Sequence, residues 1–358
     1  MTFTLPSAGK RVPAEWEPLR ALWLAWPHNP DTWPGHFDEI PDRFAAFIQA
    51  AVRFTDVHLI GSPELKASAV PDRFNLPGQR YRVTWFEIPT NDCWIRDYGP
   101  TFVVGDSESN NAAERQAIDW TFNSWGGKYP PWNLDNAATA SIIDAAANWQ
   151  RVDGGLCVEG GALEWDGTGR LLTTTDCLIT DTRNPGLVRE QAVAMLEQLC
   201  GAREVVWVDG GALQGDDTDG HIDQLARFID ATNLVVAVAT DPSDPNYDGL
   251  EANFEQLTEW GQRTTPNVTV HRLPTPPPRM VDGTRVPESY CNFLRLGPDA
   301  LLVPAFGHQP SDDHATETLT SIARLQSPMI EVVSVNCREL IWGLGALHCA
   351  SCNEPQVT

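Results

Sequence analysis

Residues 157–175 read CVEGGALEWDGTGRLLTTT. Asp166-Gly167 stands between two alternating segments, the sequence signal of a tight β-hairpin. That hairpin decides the fold class, because it adds strands where a βαβα repeat would have one strand per helix. Five segments carry helical apolar spacing: 40–54, 134–149, 184–201, 249–263 and 311–326. In the first, Phe44, Phe47, Ile48 and Ala51 recur at i, i+3, i+4 and i+7. In the third, Asn184 is placed as N-cap, Pro185 in the first turn and Gly201 as the stop. Short apolar runs lie between them, among them RALWLAW (20–26), TDVHLIG (55–61), TFVVG (101–105), REVVWV (203–208), NLVVAVA (233–239) and ALLVPAF (300–306). Two or three strands per helix, over five helices, predict an α/β protein built of a mixed-sheet unit repeated about five times.

Chemically able residues recur with that unit. Asp97, Glu159, His221, Asn292 and Cys349 fall in loops at strand ends, with gaps of 62, 62, 71 and 57 residues. Such a period suits a radial repeat that sends one loop per unit toward a common centre.

Composition narrows the function. The chain has 358 residues and a formal net charge of −23, which repels phosphate backbones and argues against nucleic acid as a partner. The same charge attracts small cations, although solubility alone would also account for it. The first residues, MTFTLPSAGKRVPAEWEP, hold no apolar leader core, and the longest apolar runs are too short to span a bilayer, so a cytoplasmic protein with no membrane partner is expected. The eight cysteines are scattered, which argues against a disulfide framework. Cys349-Ala-Ser-Cys352 has C-x-x-C spacing, but it lacks the second ligand pair of a structural zinc site and sits at a chain end, where fraying is the ordinary expectation.

Each motif has more than one reading. TNDCWIRDYGPTF (90–102) is either a surface turn with an Asp–Arg pair or a carboxylate, Asp97, beside Trp94 and Tyr98, which is what a planar cation needs. Glu159 before Gly160-Gly161 is a β-bulge or a carboxylate that a ligand can approach closely. In GDDTDGHIDQLARF (215–228), a calcium loop fails because Gly215 and Ala226 stand where acids are required. Read as the start of a strand, the stretch puts His221 and Asp223 on one side as an acid–base pair, and a satisfied loop histidine is the alternative. Cys349 is a nucleophile only if something stabilises its thiolate.

The pieces PAEWEPLRALWLAWPHNPDTW, NDCWIRDYGP, NSWGGKY, EGGALEWDGTGRLLTT, RNPG, DDTDGHID, SYCNF and GALHC occur in order along nearly the whole chain. Together they resemble the agmatine deiminase family and its relatives, the bacterial peptidylarginine deiminases. The resemblance implies one catalytic domain over 1–358, folded as a five-bladed α/β propeller with pseudo-fivefold symmetry and a central active site. It implies Cys349 as nucleophile, His221 as general acid–base, Glu159 as its orienting partner, and Asp97 and Asp223 as the guanidinium-holding pair. Trp94 is expected at the substrate, and Asp217 and Asp219 beside it as an acidic wall that favours agmatine over arginine. Neither metal nor cofactor is implied, and a homo-oligomer is left open. Arginine or peptidyl-arginine deimination is the rival within the class, with Arg96 and Arg285 as candidate carboxylate partners. A polyamine- or guanidine-binding protein is the rival outside it. Leu344, Ala346 and ASCNEP (350–355) depart from the family pattern around the cysteine.

Overall fold

The computed structural model describes residues 9–105 and 115–357. Residues 1–8, from which the reading of the amino-terminal stretch begins, lie outside it. Five times, an antiparallel strand pair is followed by a long helix and a third strand parallel to the second. Leu19–Ala25 leads through helix α1 (Ile40–Ala51) to Asp56–Gly61, its parallel neighbour. Its antiparallel partner comes from the other end of the chain, Ser351–Pro355. Thr101–Gly105 pairs antiparallel with Gln116–Thr121, which leads through α2 (Asn133–Ala146) to Gln150–Cys157. The hairpin expected at Asp166-Gly167 is Glu164–Trp165 against Arg170–Thr173, followed by α3 (Arg189–Cys200) and Glu204–Trp207. Ala226–Asp230 and Asn233–Val238 precede α4 (Tyr247–Arg263) and Thr269–Pro274. Leu294–Leu296 and Ala300–Ala305 precede α5 (Gln309–Gln326) and Glu331–Asn336. A two-stranded ribbon, Met280–Val281 with Thr284–Arg285, stands apart from these sheets.

The burial patterns explain why the pattern was readable. The middle strands are buried on both faces, as in Asn233–Val238 and Ala300–Ala305, so they appear as continuous apolar runs. The helices bury one stripe each, and Phe44, Phe47, Ile48 and Ala51 of α1 are all in the core. No described helix is long and apolar enough to cross a membrane.

Three expectations are corrected. Helix α3 starts at Arg189, with Val188 at the N-cap, not at Asn184. Asn184 is buried and serves backbone groups elsewhere: it accepts from Cys157 N at 2.9 Å and donates to the carbonyls of Cys157 and Leu178 at 2.8 and 3.0 Å. Gly201 does end the helix, in left-handed conformation (φ 73°). The residues after His221 form a helical turn, Ile222–Leu225, before the strand begins at Ala226. The carboxyl-terminal stretch does not fray, because Ser351–Pro355 completes the first sheet. Glu354 in that strand is fully buried and accepts from the indoles of Trp23 and Trp149, at 2.9 and 3.2 Å, and from Arg20.

Glu354→Leu is therefore expected to strand two buried indole N–H groups and lower the unfolding free energy by about 2–4 kcal/mol. Urea denaturation measures this, and a change under about 0.5 kcal/mol, as for a surface substitution, would contradict the role given to Glu354.

Candidate active site

In each of the five units a short turn comes immediately before the first strand of the antiparallel pair. The turns are Ile95–Tyr98, Gly160–Ala162, Ile222–Leu225, Tyr290–Asn292 and the segment ahead of Ser351. Asp97, Glu159, His221, Asn292 and Cys349 stand in or beside them, which accounts for the period in the sequence. The turns interlock by hydrogen bonds. Gly161 N donates to Asp97 Oδ1 at 2.9 Å, and the backbone N of both His348 and Cys349 donates to Asn292 Oδ1 at 3.1 and 3.3 Å.

Cys349 is buried, with Asn292 Nδ2 donating to its Sγ at 3.0 Å and Asp223 Oδ2 3.5 Å away. Burial, then the charges of Asp223 and Asp97, push its thiol well above the usual range. Asp223 is buried too. Burial would raise its carboxyl, but a 2.8 Å bond from His348 Nδ1 and the charges of His348, His221 and Arg227 outweigh that and hold it low. Asp223 Oδ1 has no partner among the described residues.

His221 is fully buried between two carboxylates, with Nε2 3.5 Å from Glu159 and Nδ1 3.6 Å from Asp97. Burial opposes its charge, yet Asp97, Glu159 and Asp223 push it up to about 9. Asp97 is raised by burial to about 6 despite the pull of His221. Its second oxygen accepts from Trp125 Nε1 at 2.9 Å. Glu159 is held by both its oxygens on Arg183 Nε, at 2.8 and 2.9 Å. Gly161 lets these groups converge: a Cβ there would lie 2.6 Å from His221 Nδ1 and 2.8 Å from Asp97 Oδ1.

A cleft of about 710 Å³ reaches Cys349 and Asp97, walled by Trp94, Trp125, Trp342 and Tyr129. Trp125 is delivered by a turn that is left-handed throughout, Ser124 to Gly127 (φ 56°, 55°, 85° and 86°), a costly conformation for the two non-glycine residues and one that positions the indole on Asp97. The acids in 216–219 divide. Asp216 caps its own turn, accepting from Thr218 N and Gly220 N at 3.0 and 2.8 Å. Asp217 lines the cleft and accepts from Tyr129 Oη. Asp219 turns to Lys128 and Arg183, at 2.8 and 2.7 Å. Further along the cleft, Asp135 is pushed up to about 8 by burial. It and Asn91 cap one another's backbone: Asp135 Oδ1 accepts from Asn91 N at 2.6 Å, and Asn91 Oδ1 accepts from Asp135 N at 3.3 Å.

The structure thus gathers Cys349, His221, Glu159, Asp97 and Asp223, puts Trp94 and Asp217 on the cleft wall, and leaves Asp219 in an ion-pair cluster beside it. Arg96 is engaged by Glu15 and Asn353, at 3.1 and 2.9 Å, and Arg285 by both oxygens of Asp244, at 2.7 and 2.8 Å. The sequence gave no role to Arg183, Trp125 or His348, although His348 adjoins Cys349, and gave Asn292 only a weak motif. Their partners are far along the chain, so only the quoted motifs RNPG, NSWGGKY, GALHC and SYCNF hinted at them.

Residues 11–355 match the Porphyromonas-type peptidyl-arginine deiminase family. The chain belongs to that family. It is 33% identical over 377 residues to the agmatine deiminase of Stutzerimonas stutzeri, covering 99% of this chain and 98% of that one. Among solved structures, it is similar to a substrate-bound cysteine-to-serine variant of C. jejuni agmatine deiminase, with a TM-score of 0.84, 27% identity and 97% of both chains covered. It is equally similar to the agmatine deiminase of Enterococcus faecalis, with a TM-score of 0.84, 28% identity and 98% and 97% covered.

A methyl group at position 161 should displace His221 or Asp97. Gly161→Ala is expected to lower kcat/KM about a hundredfold, the cost of misplacing a reacting group by an ångström. Steady-state kinetics beside a thermal melt test this, and near-normal turnover would mean that the close approach is incidental.

Proposed function

We propose that this family member is an agmatine deiminase, hydrolysing agmatine to N-carbamoylputrescine and ammonia through a covalent bond on Cys349. The observation that carries the reading is a buried thiol among carboxylates, with Asp223 Oδ1 buried and unpartnered among the described residues, at the end of a cleft with aromatic walls. Such a site is incomplete without a planar cation. A guanidinium between Asp97 and Asp223 would satisfy both and offset the negative charge that keeps Cys349 protonated.

In this mechanism the Cys349 thiol loses its proton to solvent as the guanidinium arrives, and the sulfur adds to the guanidinium carbon. His221, a cation at neutral pH, gives its proton to the departing nitrogen, and the carbon–nitrogen bond breaks to release ammonia. An amidino-thioether remains. His221, now neutral, takes a proton from water, the hydroxide adds to the carbon, the carbon–sulfur bond breaks, and the hydroxyl proton of the product passes to the sulfur to restore the thiol. Glu159, fixed by Arg183, orients the imidazole. Trp94 lies against the substrate, and Asp217 offsets the distal ammonium, with Asp219 acting on it through the Lys128–Arg183 cluster. The reaction needs no metal or cofactor.

Agmatine is favoured over arginine because Arg96 and Arg285 are already paired, and an α-carboxylate would meet Asp217. We read the five units as blades of a five-bladed propeller and the whole chain as one catalytic domain. The pairing of Ser351–Pro355 with Leu19–Ala25, which joins the two chain ends, supports this. A cytoplasmic setting, with a small cation as partner, fits the acidic composition.

Ammonia release from agmatine, arginine and an arginine peptide tests the assignment. Agmatine is expected to lead arginine by roughly a hundredfold in kcat/KM, about 2.7 kcal/mol, and Asp217→Asn to narrow that ratio; equal use of both by the wild type would overturn the substrate. Cys349→Ser should abolish turnover while Cys352→Ser, whose thiol faces the Pro100 carbonyl at 3.6 Å and does not line the cleft, should not; comparable losses would point to a C-x-x-C unit. The pH profile of kcat/KM should be a bell. Asp97 must be ionised, so activity falls as pH drops through about 6, and His221 must be protonated, so it falls as pH rises through about 9. Undiminished activity well above pH 9 would contradict the role of His221.

A further inference from the structure

Behind Cys349 the chain turns His348 to the opposite side of the site. The imidazole is fully enclosed, and both its nitrogens meet carboxylate oxygens: Nδ1 lies 2.8 Å from Asp223 Oδ2, and Nε2 lies 2.8 Å from Glu15 Oε1. Glu15 belongs to the loop before the first long strand, and it lines a second, smaller cavity on that side with Arg96, Glu164 and Asn353. A hydrogen-bonded chain therefore runs from the thiol through Asp223 and His348 to Glu15. We propose that His348 is a positioning residue whose Nδ1–H keeps Asp223 ionised and aimed, so that Asp223 stays ready for a cation. The proposal rests on the reading of Asp223 as a guanidinium-holding carboxylate.

The two carboxylates depend on the ring to different degrees. Glu15 has other donors, Arg227 at 2.7 Å and Arg96 at 3.1 Å, with Arg295 also near and Glu164 the opposing charge. Asp223 Oδ2 has only His348 and the weak thiol donor Cys349, and its other oxygen is unpartnered among the described residues. The charges facing Asp223 are His348, His221 and Arg227, with Asp97 opposing through the same pocket. A buried carboxylate that loses its strongest donor is raised by desolvation and becomes protonated near neutral pH. A neutral Asp223 could neither pair with a guanidinium nor hold it in line with the sulfur. On the other side of the ring, burial and the charges of Arg227 and Arg96 outweigh Glu15 and the bond to Asp223 and hold the imidazole below its usual range, so the ring keeps one proton, which Asp223 needs on Nδ1. Glu15 thus fixes the plane of the ring and helps to retain its proton.

Two matched polar substitutions separate positioning from packing. The amide of His348→Asn reaches roughly the place of Nδ1 and can still donate to Asp223, whereas the longer side chain of His348→Gln reaches roughly the place of Nε2 and meets Glu15. The primary readout is the titration of Asp223 in the substrate-free protein, followed by carbon-13 NMR of labelled aspartate and assigned by difference from Asp223→Asn. The second is the acid limb of kcat/KM for agmatine. His348→Gln is expected to raise the Asp223 titration past that of Asp97, which lies at about 6, and so to move the acid limb upward with it, while His348→Asn stays closer to the wild type on both. If the two variants titrate alike, or neither differs from the wild type, the proposal is overturned. If the titration moves as expected but the acid limb does not, His348 does set the ionisation of Asp223, and it is the guanidinium-holding role of Asp223 that fails.

Discussion

Two carboxylates beside a buried thiol make that thiol hard to ionise, and the rest of the site is organised around this constraint. Asp97 and Asp223 both raise Cys349, and both are themselves removed from water. Buried carboxylates persist only with donors and counter-charges. The structure supplies them by reaching across units: Trp125 and Gly161 to Asp97, His348 to Asp223, Arg183 to Glu159, and Arg227 to Glu15. Among the described residues, none places a cation against the sulfur itself. In the proposed mechanism, a substrate that brings its own positive charge removes the penalty when it arrives, which would couple recognition to nucleophile activation.

Turns ahead of strands suit this arrangement. Each unit contributes a residue from a short turn braced by the strand that follows, so the gathered side chains stand on a rigid frame. Convergence from five units also lets carboxylates, histidines and a thiol meet within a few ångströms without crowding any one segment. The cost is local. Ser124 and Trp125 adopt left-handed backbone, and Gly161 leaves no room for a side chain.

Much of the fold was legible because its signals are local. Runs such as NLVVAVA and ALLVPAF read as strands, the helices kept their spacing, and Asp166-Gly167 marked its hairpin. Ser351–Pro355 was not legible, since SCNEP carries no strand pattern. It is a strand because Leu19–Ala25 offers it a partner and because Trp23, Trp149 and Arg20 satisfy Glu354. Asn184 misled for a related reason: it looks like a cap in sequence and spends its hydrogen bonds on Cys157 and Leu178. In the site, the residue types nearest the chemistry stood out through their motifs. Their supports, Arg183, Trp125 and His348, act through contacts tens to hundreds of residues away, which no spacing rule encodes. Asp217 and Asp219 show the limit at closest range. They are two residues apart, but the left-handed Asp219 (φ 70°) points to Lys128 and Arg183 while Asp217 faces the cleft.

The central claim is that Cys349 forms a covalent bond with the guanidinium carbon while carboxylates hold the substrate. Rapid acid quenching of the enzyme during turnover of agmatine, followed by peptide mass spectrometry, tests it directly. The account predicts a transient adduct with the mass of agmatine less ammonia on the peptide containing Cys349, localised to that sulfur. Ammonia release with no adduct at any quench time, or an adduct carried by Cys352 or another cysteine, would contradict it.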